Sequence, residues 1–174
     1  TMTDIYKLMD HQGVRSAIKF LKGKSQEIAD QNGMSKCDVE EFLSNGEKEN
    51  NFSSSLKCLG LEYKVPHKMN ESKTYDGIIS QRVFEHIKPM ILNEIFEKSY
   101  AALVPGGFIL HQIDNSDHRA HHDKSLSLVD FLKYDDFIWR CLSINPQDYT
   151  NRFRHSDYKR LIINAGFIIK EETT

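Results

Sequence analysis

The sequence predicts an α/β fold, a mostly parallel sheet with flanking helices, and three stretches carry that prediction. "YDGIIS", residues 75–80, is a nearly continuous apolar run of the kind buried on both faces of a parallel sheet. Residues 88–103 follow with helical spacing, Leu92, Ile95, Phe96, Ser99 and Leu103 recurring on one side, and Pro89 is tolerated in the first turn. "FILHQID", 108–114, is then a second strand. Strand, helix and strand at these intervals indicate a parallel sheet with right-handed crossovers.

The remaining elements fall in around this unit. "TMTDIY", 1–6, reads as a short strand ending in an acid at Asp4. Residues 11–30 read as a helix with Val14, Ile18 and Leu21 on one side, interrupted near Gly23. A polar stretch at about 24–55 reads as a helical insertion, with "NGEKENNFSSS" at 45–55 its most loop-like part. Inside it, Ala29, Gly33 and Val39 have the spacing of a helix-turn-helix over 27–46, and Ser35 is placed to cap the second helix. "CLGLEYKVP", 58–66, reads as a strand closed by Pro66. "PGG", 105–107, stops the helix that precedes it, because proline cannot continue a helix and glycine takes left-handed geometry. A helix is expected near 126–134. Another follows Ser156 as cap, with Tyr158, Leu161, Ile162 and Ala165 on one face and Gly166 at its end. "FIIKEE" is expected as a final strand.

Bulk properties exclude several classes. A chain of 174 residues defaults to one domain, here 1–174, and a formal net charge of −2 leaves no footprint for nucleic acid or an anionic membrane. The second helix of the helix-turn-helix-like stretch would present Asp38, Glu40 and Glu41 to phosphates, against a single nearby Lys36, which disfavours DNA. No apolar run approaches the roughly 18 residues of a membrane span. Cys37, Cys58 and Cys141 are far apart and odd in number, so a reducing, cytoplasmic compartment is expected.

Ligands of parallel α/β sheets lie beyond the carboxyl ends of the strands. Asp4, 66–70, 80–86 and 111–123 all occupy such positions. The last of these, "HQIDNSDHRAHHD", holds four of the eight histidines. Its His and Asp side chains are numerous enough to fold around zinc or manganese. No H-x-H, HExxH or paired-cysteine spacing is present, however, and no residue is assigned as a metal ligand. A metal-dependent hydrolase or metal-binding protein using 111–123 stands as the alternative, and an interaction module built on 27–46 as a third.

Three segments together carry a family resemblance. "YDGIISQRVFEHI" resembles the fourth strand and following helix start of class I S-adenosylmethionine-dependent methyltransferases of the type 11-like group. "SYAALVPGGFILHQID" resembles their next helix, glycine turn and fifth strand, and "SDYKRLIINAGF" their late helix and strand. The resemblance covers about residues 58–172. "HQIDNSDH" with "NRFRHSDY" is similar to a bacterial subgroup associated with surface-polysaccharide genes.

What the resemblance implies is a Rossmann-like domain that methylates an oxygen, or a nitrogen, of a small or saccharide-linked acceptor, with S-adenosyl-L-methionine as cofactor. No GxGxG occurs in the sequence, so the first strand and glycine loop of that fold are expected to be missing, and one strand at the far end as well. A fragment so cut leaves a sheet edge open to self-association. On the cofactor side the resemblance points to Asp4, Met69, Asn70, Ser80 and Glu85. For the proton of a hydroxyl acceptor, imidazoles titrating near neutrality are suited, and His86, His111 and His118 are the candidates. His86 reads equally as a residue ordering its turn. His111, sharing a face with Ile109 and Ile113, reads equally as a buried hydrogen-bonded histidine. Asp114 and Asp117 are candidates for orienting an imidazole or binding sugar hydroxyls. Arg152 and Arg154, at alternate positions, suit a phosphate or carboxylate on the acceptor, or salt bridges to the acidic 130–136 region.

Overall fold

A computed structural model describes residues 2–3, 10–64, 73–142 and 149–173. Among them the protein is mixed α/β, with eight α-helices and four strands. The chain divides into two compact units, Thr1–Lys68 and Met69–Thr174.

The first unit is mostly helical. Helices α1 (His11–Lys22), α2 (Ser25–Asn32), α3 (Lys36–Lys48) and α4 (Phe52–Cys58) accompany a parallel pairing of β1 (Met2–Thr3) with β2 (Tyr63–Lys64). Each helix start has a physical cause. Asp10, Ser35 and Asn51 accept hydrogen bonds from the backbone N–H of Gly13, Asp38 and Ser54, satisfying donors that the first turn leaves free. Val14, Ile18, Ala29, Val39, Leu43 and Leu56 form the core, with Ile28, Phe52, Leu59 and Tyr63 packed against it. Gly46 permits one close approach, since a Cβ there would meet Leu59 Cγ at 2.8 Å.

Three expectations for this unit are corrected. Leu21 lies outside the core, because the buried stripe of α1 is Val14 and Ile18 alone. The stretch 45–55 is largely helical: α3 runs on to Lys48, and the Asn51 cap starts α4, which Phe52 and Leu56 anchor to the core. At 58–66, only Tyr63–Lys64 of the described residues is strand. Cys58 still belongs to α4, which closes through Gly60 N–H to Lys57 C=O (3.0 Å) and Leu61 N–H to Leu56 C=O (2.8 Å), with Gly60 left-handed. The α2–turn–α3 reading agrees with the structure in detail, Gly33 being left-handed and Ser35 capping α3.

The second unit is built on a parallel β–α–β arrangement: β3 (Tyr75–Gln81), α5 (Pro89–Ala102) and β4 (Leu103–Gln112). The two strands are parallel and in register from Gly77 opposite Phe108 to Gln81 opposite Gln112. Further along come α6 (Arg119–His122), α7 (Asp136–Leu142) and α8 (His155–Asn164), with single 3-10 turns at Phe84–His86 and Asp130–Lys133. The inner face of β4 carries Ile109, with Ile113 just beyond the strand. They pack with Phe84, Leu92, Phe96, Tyr158, Leu161, Ile162 and Ala165, so α5 and α8 cover one side of the sheet. The face predicted for α8 is therefore the buried one, and Gly166, at φ +102°, ends the helix as expected.

Other expectations shift. The 105–107 turn sits inside β4, not between elements. α5 stops at Ala102, and the ladder passes from Tyr75 opposite Leu103 to Gly77 opposite Phe108, so the residues between form a bulge with Gly106 at φ +85°. Pro105 explains the stop, because it pushes Val104 out of helical geometry. Only one face of β3 is covered among the described residues: Ile79, Phe108 and Leu110 on the other face are exposed. The helix expected near 126–134 is a 3-10 turn followed by α7, whose start is set by Asp135 accepting from Ile138 N–H at 2.8 Å. Ser156 lies within α8; the terminus is organised instead by Asp157 accepting from the Arg154 N–H. Residues 167–172 are not a strand. β3 and β4 pair only with each other among the described residues, and the tail is tied back by Glu172 to Lys159 and His155. All three cysteines are free and exposed, and no helix among the described residues is long and apolar enough to cross a membrane.

Candidate functional site

Two segments at the carboxyl ends of β3 and β4 converge in the second unit. The first begins where Arg82 takes a positive φ of 51° and donates its N–H to Gln112 C=O, turning the chain sharply into the Phe84–His86 turn. Asn151 holds that turn in place. Its Nδ2 donates to Phe84 C=O (2.7 Å) and Ile87 C=O (2.8 Å), and its backbone N–H donates to Glu85 C=O. Its Oδ1 accepts from Phe153 N–H and from the Tyr158 hydroxyl, so the whole amide is used. Burial raises the Tyr158 hydroxyl pKa to about 12, which keeps it a donor. His86 is fixed separately, its Nδ1 lying 2.9 Å from Tyr149 C=O.

The second segment is the loop after β4. Asp114 accepts from Ser116 N–H at 2.9 Å, and Arg154 donates to Asn115 C=O. Asp117 is buried and fully engaged by Arg119, through the backbone N–H, Nε and a terminal nitrogen. Burial pushes the Asp117 carboxyl up, but the Arg119 hydrogen bonds and charge outweigh it and leave the group below its ordinary range. The same balance holds at Asp114, where the Ser116 hydrogen bonds and the neighbouring His118 and His121 overcome burial.

The His86 and His118 rings meet edge to face with centroids 5.0 Å apart, and the His118 and His121 rings are 5.4 Å apart. His118 Nε2 is 3.7 Å from Asp114 Oδ2, and His121 Nε2 is 3.9 Å from the same oxygen. Two three-donor groups result among the described residues. In one, ligand atoms of Glu85, His86 and His118 lie within 4.8 Å of one another; in the other, those of Asp114, His118 and His121 do.

Other expected site residues are placed elsewhere. His111 lies on the inner face of β4 between the Phe84 and Phe96 rings, with Nδ1 2.8 Å from Ser80 Oγ. Burial depresses its pKa to about 4, so it is a neutral core imidazole. Ser80 is occupied by that contact. Arg152 donates to Phe131 C=O and Tyr134 C=O and pairs with Asp136, while Arg154 holds Asn115, so both guanidinium groups serve to fix loops. Asp4, Met69 and Asn70 lie outside the described residues. Sequence reasoning missed Asn151 and Tyr149, which are signalled only by lying in the same "YTNRFR" run as the arginines; His121 is among the donors counted for the 111–123 alternative. No family model matches the chain, and neither a curated protein nor a solved structure shows significant similarity to it.

Proposed function

We propose that the protein is a Rossmann-like methyltransferase domain acting with S-adenosyl-L-methionine on an oxygen of a small or saccharide-linked acceptor, and that its second unit supplies the acceptor side of the reaction. The observation that carries this reading is the parallel register of β3 and β4, which brings the segment at 82–88 and the loop at 113–123 together at their carboxyl ends. The motif resemblance over 58–172 supports it independently.

Of the residues expected on the cofactor side, Ser80 is engaged by His111 and Glu85 is buried beside His86 and His118. The described residues do not by themselves compose a cradle for the cofactor. When bound, the cofactor supplies a methyl group activated on a sulfonium. This chain's own part is to hold the acceptor and remove its proton. His118 is the best-placed group, since the Asp114 carboxylate, with Oδ2 3.7 Å from Nε2, would stabilise the imidazolium formed when the hydroxyl gives up its proton.

Calorimetric titration with S-adenosylhomocysteine tests this reading in a chain extended upstream to include the first strand and glycine loop that the resemblance implies. Saturable binding at one site per chain is the expected result, and no binding up to about 1 mM would overturn it. His118→Ala should retain that binding, because the residue acts on the acceptor; loss of binding in this variant would refute the assignment.

A further inference from the structure

Glu85 is 2% exposed, and neither of its carboxylate oxygens has a hydrogen-bond partner. Leaving a carboxylate so placed without a donor or counter-charge is among the most expensive arrangements a protein interior can hold. The groups beside it point to what satisfies it. A carbonyl oxygen only accepts, so the 2.9 Å contact of His86 Nδ1 with Tyr149 C=O places the ring proton on Nδ1 and leaves the Nε2 lone pair free. His118 Nε2 is likewise buried without a hydrogen-bond partner.

We propose that Glu85, His86 and His118 bind a divalent transition-metal ion, zinc being the best match. Two imidazoles and one carboxylate are a borderline donor set that suits zinc, whereas magnesium and calcium call for oxygen throughout. The Tyr149 carbonyl on the second nitrogen of His86 is the outer contact that metal-bound histidines regularly make, fixing both tautomer and ring orientation.

Donors around a tetrahedral zinc sit roughly 3.3 Å apart, given zinc–ligand bonds of about 2.0–2.1 Å. The three groups, within 4.8 Å of one another, therefore close inward on binding. On the methyl-transfer reading, the bound ion would take over the part given to His118 as base, since a coordinated imidazole cannot accept the proton: it would bind the acceptor hydroxyl and ease loss of its proton to solvent. The binding claim concerns three side chains only, and a failure of cofactor binding would leave it standing.

The test is calorimetric titration of chelator-stripped protein with zinc chloride against a competing chelator, with the absorption of the cobalt(II) form reporting coordination. One ion per chain is expected. Glu85→Gln, His86→Gln and His118→Gln should each weaken binding by at least about tenfold, while His122→Ala leaves it within about twofold. Zinc should raise the Tm of the parent protein and not that of Glu85→Gln. Should Glu85→Gln fail to fold, His118→Gln and His86→Gln carry the comparison. The proposal is overturned by the absence of saturable binding, by affinity unchanged in Glu85→Gln, or by affinity lost in His121→Ala while Glu85→Gln retains it.

Discussion

The first unit's buried core is aliphatic and the second's mostly aromatic, and the two handle polar groups in opposite ways. In the first, the buried polar side chains among the described residues are Ser25 and Ser55, and each has a partner: Ser25 donates to Glu40, and Ser55 contacts His11. Its many charges stay at the surface in pairs such as Lys24–Glu27 and Lys36–Glu40, worth little individually in water. The second unit buries Glu85, Asp117 and Asn151 within one region. Asp117 and Asn151 are fully bonded, and they immobilise the loop and the turn; the Glu85 carboxylate has no hydrogen-bond partner. Bonded Asp117 and Asn151 beside an unbonded acid separate scaffold from site; His111 Nε2, Asn115 Oδ1 and His118 Nε2 also lack partners, and among the described residues every such buried side-chain atom lies in the second unit.

The sharpest way to break the contrast is to remove its clamp. Asn151→Ala deletes four side-chain hydrogen bonds and should destabilise the protein by about 4 kcal/mol in urea unfolding. Next in size is an acid effect at His111. Its folded pKa of about 4 lies below the ordinary 6.5, so the unfolded chain binds more protons between those values. Its contribution is present above pH 6.5 and lost as pH falls toward 4, amounting to about 3 kcal/mol. His111→Phe should flatten the stability profile across that window and leave the neutral side of it unchanged in slope. Smaller is the expected gain of about 1–2 kcal/mol on Glu85→Gln in chelator, because a carboxyl group without a partner is replaced by an amide that can donate as well as accept; added zinc should reverse the ranking. Smallest, and in the first unit, Ser35→Ala should lose about 1 kcal/mol through the missing cap of α3, with no effect on zinc affinity.

Much of this architecture is legible in the chain because it is written in local patterns. The apolar run of β3, the stripes of α5 and α8, the cap at Ser35 and the glycine stops at 33 and 166 each need only neighbours a turn away. What escaped reading depends on distant partners. The proline–glycine–glycine run looks like a stop, yet the pairing with Tyr75 and Gly77 makes it a bulge. "FIIKEE" has strand composition but no described strand beside it. Arg152 and Arg154 look available for a ligand until their carbonyl and carboxylate partners are seen. His118 was legible as chemistry, whereas its meeting with Glu85 and His86 required the fold. His111 lay open between two readings, and the rings of Phe84 and Phe96 place it in the core.

The contact between Asn151 and the turn at Phe84–His86 joins positions more than sixty residues apart in the chain. During synthesis, β3, α5 and β4 can leave the ribosome and pair before that asparagine exists. The acid and its two imidazoles would then sit on an unbraced corner, without the preorganised geometry that tight coordination demands. Competence at this corner is thus a late acquisition, and a nascent chain ending before Asn151 would have the sheet without the grip.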